Sequence, residues 1–202
     1  MKKLILFIAL VSFAMSSNAQ KIKQTDGKLS FLKGQTQLSI SFERADDLKV
    51  GKDTEAKYIE VKMEKANDKE PGTGEKWKES WDADPLLHYY PKFLELINKG
   101  LGDKGVAVSE NNSKATYEIK VVTTFIEPGY NVGVSRKNAS INLAISIVKL
   151  DNPNKILAKF TIDKSPGKTA FGSDFDTGTR IAEAYAKAAK EFAEFLLKKK
   201  AF

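Results

Sequence analysis

Residues 138–150 (NASINLAISIVKL) alternate so regularly that only one local structure fits them. Ile141, Leu143, Ile145 and Ile147 point to one side, and Ser140, Asn142, Ala144 and Ser146 to the other. A period of two with one apolar set is a β-strand with a single buried face. Asn152-Pro153-Asn154 makes a turn, and residues 155–163 (KILAKFTID) alternate again through Ile156, Ala158, Phe160 and Ile162. A link this short joins two strands only antiparallel. Upstream, residues 116–126 (TYEIKVVTTFI) repeat the pattern through Tyr117, Ile119, Val121, Thr123 and Phe125, after a short lead strand at 106–108. The sheet therefore has one greasy face and one polar face, and something must cover the first.

Two helices are expected to cover it. Phe93, Leu94, Ile97 and Leu101 recur at helical spacing, with Gly100 and Gly102 at the end. Pro85 and Pro91 each suit a first turn, so this helix starts near 86 or 91 and runs to about 100. The second helix starts after an Asp176 or Thr177 cap and runs to about 199. Ile181, Tyr185, Ala188, Phe192 and Phe195 or Leu196 form its stripe. Residues 37–43 (QLSISFE) and 57–63 (KYIEVKM) also alternate and are expected to be strands, linked by 44–56 as a loose hairpin. Residues 20–34 form a polar lead-in, and 64–83, with Pro71, Gly72 and Gly74, a long loop. The expected fold class is α+β: a two-layer sandwich in which an antiparallel sheet of about five to six strands carries two helices on one face. Residues 35–202 make one domain.

Residues 1–20 (MKKLILFIALVSFAMSSNAQ) have a charged start, an apolar stretch of about a dozen residues and a small-residue site at Ser17-Asn18-Ala19. That is the pattern of a secretory signal peptide, too short for a bilayer span of about 20 residues. Cleavage before Gln20 removes Lys2 and Lys3 and lowers the formal charge from +7 to +5. The expected location is the periplasm or the exterior, with no transmembrane anchor. No Cys follows the site, so no lipid anchor is expected there. The remaining charge is lysine coating. Only Arg44, Arg136 and Arg180 offer the planar fork that grips nucleic acid, and no nucleic-acid partner is expected.

With no Cys and one His, thiol chemistry, Cys-based zinc sites and sites needing two histidines are excluded. Gly167-Lys168-Thr169 lacks the glycine of a phosphate loop, because Ile162 stands there. Asp174-Phe175-Asp176-Thr177-Gly178 lacks the distal Glu of a calcium loop, because Ala184 stands there. A serine hydrolase would have only His88 to use, and no G-x-S-x-G elbow exists. No catalytic residue, cofactor or metal is assigned. Asp82, Asp84 and His88 lie close in sequence, and His88 sits among Leu86, Leu87, Tyr89 and Tyr90, a setting that suits a structural histidine. Binding candidates are Trp77 and Trp81, four apart and able to stack on a sugar or peptide; His88; and Tyr130 and Arg136 in the segment that Pro128-Gly129 turns.

The blocks EPGYNVGVSRKNASINLAISIVKL, LAKFTIDKSPGK and DFDTGTRIAEAYAKAAKEF resemble an uncharacterised family of secreted proteins from Gram-negative envelopes, over roughly residues 85–199. That resemblance implies an envelope role and carries no catalytic residue. The helix–strands–helix order is also similar to small periplasmic envelope-assembly accessory domains such as the lipopolysaccharide-assembly lipoprotein. The expected function is that of a soluble, exported, non-enzymatic protein that binds an envelope protein, glycan or other component. The alternative is an envelope hydrolase acting on glycan through Asp/Glu carboxylates and His88.

Overall fold

The computed structural model describes residues 20–167 and 176–202. In chain order the elements are β1 (Lys21–Gly27), β2 (Gln37–Val50), β3 (Asp53–Thr54), α1 (Glu55–Asn67), α2 (Thr73–Asp84) and α3 (Tyr90–Leu101). Then come β4 (Ala107–Glu110), β5 (Tyr117–Glu127), β6 (Tyr130–Asn131), β7 (Arg136–Lys137), β8 (Ala139–Lys149), β9 (Asn152–Gly167) and α4 (Thr177–Lys198). The expected signal peptide at residues 1–19 and residues 168–175, which include Lys168, Thr169 and Asp174, lie outside the described residues.

The main sheet has seven strands in the order β1-β9-β8-β5-β2-β3, with β4 also paired to β2. β1, β9, β8 and β5 are antiparallel neighbours. β2 runs parallel to both β5 and β4, so the sheet is mixed rather than antiparallel. The cause lies in the connection: between β2 and β5 the chain makes a long helical excursion, which permits parallel return.

Ile119 and Val121 of β5, Ile141, Leu143, Ile145 and Ile147 of β8, and Phe160 and Ile162 of β9 are buried, as their alternation requires. Above them lie Phe93, Ile97 and Leu101 of α3, and Ile181, Tyr185, Ala188, Phe192 and Leu196 of α4. Phe42 of β2 meets Phe93 edge-on at 5.5 Å, and Phe160 meets Phe192 at 5.2 Å. α3 crosses α4 closely because Gly100 faces Ala193; a Cβ on Gly100 would lie 2.5 Å from that side chain. Each large buried side chain contributes about 1.5–3 kcal/mol of transfer free energy, which pins both helices to one face.

Several local expectations fail for identifiable reasons. Residues 57–63 are helical: Thr54 caps α1 by accepting from the Lys57 N–H, and Glu and Lys flank the apolar residues. Residues 64–83 are the end of α1, a five-residue turn at 68–72 and most of α2, not a long loop. Residues 21–27 of the supposed lead-in are an edge strand on β9. Phe125 does not continue the buried face, because a bulge after Thr123 hands that place to Ile126.

Candidate functional site

Five of the six large apolar side chains that stand exposed among the described residues come from two loops at one end of the molecule. The first is the β6–β7 hairpin. Gly129 turns the chain there at a φ of +64°, and a Cβ on it would lie 2.3 Å from the Lys137 carbonyl oxygen. Tyr130 pairs with Lys137 and Asn131 with Arg136, so residues 132–135 form the tip. Three backbone N–H groups of the tip find acceptors within the hairpin. The Val132 N–H donates to the Ser135 carbonyl at 3.0 Å, Val134 to the Val132 carbonyl at 3.0 Å, and Gly133 to Asn131 Oδ1 at 2.9 Å. Val134 is 99% exposed, Val132 64% and Tyr130 46%. The second loop is the wide turn Pro85–Tyr89 between α2 and α3, where the Tyr90 N–H bonds five residues back to the Pro85 carbonyl. It holds Leu86 71% and Leu87 65% exposed.

The start of α4 ties these loops together. Arg180, buried, donates from Nε to the Pro128 carbonyl at 3.2 Å and from Nη2 to Thr177 Oγ1 at 2.9 Å. Asp176 caps the helix by accepting from the Thr179 N–H at 2.5 Å. Gly178 leaves room for the Asp84 carboxylate; a Cβ there would lie 2.7 Å from Asp84 Oδ2. Asp84 Oδ1 lies 2.9 Å from His88 Nδ1, and Asp84 Oδ2 accepts from the Tyr89 hydroxyl at 3.1 Å. Burial, with Asp84 beside it, pushes the Tyr89 phenol well above its ordinary range. A groove of about 230 Å³ opens alongside, lined by Leu87, His88, Pro91, Glu95, Thr179 and Glu183 among others.

His88 is therefore partly exposed, and it is oriented by a carboxylate. Asp82 does not join it, because its carboxylate pairs with Lys78. Among the described residues no three His, Asp or Glu side chains form a metal-holding group.

Trp77 and Trp81 both lie on α2 and stack at 5.6 Å. Trp81 is buried; its indole N–H donates to Glu55 Oε1 at 2.8 Å, the same oxygen that accepts from Arg44 at 2.5 Å. Tyr58 of α1 packs at 5.2 Å from Trp81 and 5.9 Å from Trp77. The Lys62 ammonium stands 5.9 Å from the Trp77 ring, and burial lowers its pKa. These rings join α1, α2 and β2, and their faces are engaged with one another. Val132, Val134, Leu86 and Leu87 were not candidates on sequence grounds. The available signal was aliphatic residues on both sides of Gly133 and next to Pro85, in segments that turn chemistry already explained.

No protein-family model matches the chain, and no curated protein matches it. Among solved structures, a single-residue variant of the PelC dodecamer from Paraburkholderia phytofirmans overlays with 13% identity and a TM-score of 0.37. A second crystal form of that dodecamer gives 12% and 0.38; each overlay covers 84% of this chain and 96% of the other. A protein of Xanthomonas campestris described by the family model DUF330 overlays with 16% identity and a TM-score of 0.34, over 52% of this chain and 58% of that one. No helix among the described residues is long and apolar enough to cross a membrane.

Proposed function

We propose that the chain is an exported envelope protein that works by binding rather than turnover, and that the end carrying Tyr130, Val132, Val134, Leu86 and Leu87 is its contact surface. It binds an envelope component or a protein partner there, in the periplasm or outside the cell. One observation carries this reading: the most exposed aliphatic side chains come from two separate loops that Arg180 and Gly178 hold at the same end of the scaffold. Isolated exposed apolar residues are ordinary, but a cluster on loops fixed to a packed core marks an interaction surface. The test is a photo-crosslinking side chain at Val134, with Lys155, exposed at the far end of β9, as control. Adducts in the native envelope from Val134 and none from Lys155 are expected. No adduct from Val134 or from Leu87 sinks the reading.

The Asp84–His88 pair favours a second reading, hydrolysis of an envelope glycan. A carboxylate that accepts from Nδ1–H leaves Nε2 with its lone pair as a base, and Glu95 and Glu183 line the adjoining groove. Turnover of envelope glycan that His88→Ala leaves intact removes His88 from that scheme.

A further inference from the structure

We infer that Gln20, freed as the first residue by cleavage after Ala19, closes on itself to a pyroglutamate, so that the mature chain begins with a neutral lactam. The inference rests on the export in the reading above and does not use the two-loop surface.

The sequence supplies both reacting groups. Ser17 and Ala19 are the small residues before the expected cut, and the next residue is a glutamine. Cleavage there puts a free α-amine and a side-chain amide on one residue. The amine, once it has given up the proton of its ammonium, attacks Cδ, and the new N–Cδ bond closes a five-membered ring. Holding both groups on one residue makes the step intramolecular. The Cδ–Nε2 bond breaks, and the departing nitrogen takes a further proton from the amine and leaves as ammonia. No oxidant or co-reactant is needed, and the terminal positive charge is lost with the amine.

That ending suits the fold. Gln20 directly precedes β1, whose Lys21 pairs with Asp163 of β9, so the expected mature end lies on the sheet rim rather than on a trailing arm. Its side chain turns toward the buried Ser165, whose Oγ stands 3.3 Å from Gln20 Oε1 and donates to the Ala184 carbonyl of α4 at 2.8 Å. Gln20 Nε2 is buried and meets no acceptor among the described residues. Buried side-chain amides nearly always find partners, so this one calls for a reason. Turning the amide over only exchanges its ends, because Ser165 Oγ reaches one of them and the other is left over. Ring closure expels the NH2 group and keeps a single carbonyl. It also spares a half-buried end the cost of desolvating an ammonium. β1 is an edge strand, and a lactam without a free amine closes the chain to aminopeptidases that would strip the strand from that end.

The test takes the chain from the native envelope, holds it in neutral buffer for several days and reads its N-terminal peptide by tandem mass spectrometry. A peptide that starts at residue 20 and is lighter by one ammonia is expected. A general aminopeptidase should leave that end untouched, whereas pyroglutamyl aminopeptidase, applied after denaturation, should remove one residue and expose Lys21. Gln20→Ser, exported in parallel, should keep its full mass and yield to the general aminopeptidase. The same ammonia loss in that variant places the loss at another residue and overturns the inference. A peptide that starts at residue 20 with its glutamine intact after the hold overturns it too, and leaves the export standing. A start at any other exported residue removes the inference alone. A chain that keeps residues 1–19 removes the export with it.

Discussion

The contact between Thr123 of β5 and Tyr185 of α4 is the place to test how the helix layer is held on the sheet. The two hydroxyls hydrogen-bond to each other, and both residues are buried. Burial pushes the Tyr185 phenol well above its ordinary range, while the bond to Thr123 works against that shift. Thr123→Val keeps the shape and deletes one hydroxyl, leaving the other buried without a partner. Tyr185→Phe does the reverse. Leaving a buried polar group unsatisfied costs about 1–3 kcal/mol, whereas replacing both partners by apolar groups of the same shape is nearly neutral. Each single variant should therefore lose about 1–2 kcal/mol, or about 2–8 °C in Tm for a chain of this size. The double variant should lose no more than either single, giving a coupling of about 1–2 kcal/mol. Urea unfolding followed by fluorescence of Trp77 and Trp81 measures all four corners of the cycle, with circular dichroism as a second probe. If the two losses add to within about 0.3 kcal/mol, the hydroxyls do not depend on each other and the bond described here is wrong.

Trp81→Ala should cost about 3–5 kcal/mol, since it empties a buried site and strips Glu55 of a donor, and Trp77→Ala clearly less, because Trp77 is only partly buried; denaturant midpoints compare them. Gly167→Ala would put a Cβ 1.9 Å from the Arg180 carbonyl oxygen, backbone against backbone. It should lower stability by about 3 kcal/mol and loosen the hairpin that Arg180 holds, read by proteolysis within residues 128–138. Burial pushes Tyr58 up to about 12 and raises Tyr89, Tyr90 and Tyr185 above the ordinary 10. The folded chain therefore keeps protons that the unfolded chain releases. Stability should be full below pH 10 and fall as pH rises from there, by up to about 1.4 kcal/mol per pH unit for each tyrosine. Alkaline unfolding with phenolate absorbance checks this, and a flat profile up to pH 12 contradicts it.

The strands β5, β8 and β9 were legible because each has one face in the core and one in water, so burial writes a period of two into the sequence. The helix α4 was legible for the same reason at a period near four. The helix α1 was not. It buries no residue fully, so its sequence lacks a wide apolar stripe, and Ile59, Val61 and Met63 imitate a strand over a short window. The parallel placement of β2 leaves no local trace at all, because pairing across a long excursion depends on tertiary packing alone. Of the candidate site, Tyr130 and Arg136 were identified from the turn that Pro128-Gly129 imposes. Leu86 and Leu87 entered only as apolar neighbours of His88 in the sequence. The wide turn at Pro85 points them outward.

That parallel seam has a consequence in time. Ser39 faces Glu118 across it, 79 positions along the chain, whereas Lys149 and Asn152 close the β8–β9 hairpin almost at once. Closing the longer loop costs about 4 kcal/mol of chain entropy before any contact across it offsets the loss. Contact order therefore favours early closure of the β8–β9 hairpin and later closure of the β2–β5 seam. Until that seam closes, β5 keeps one edge unpaired, with β8 alone beside it.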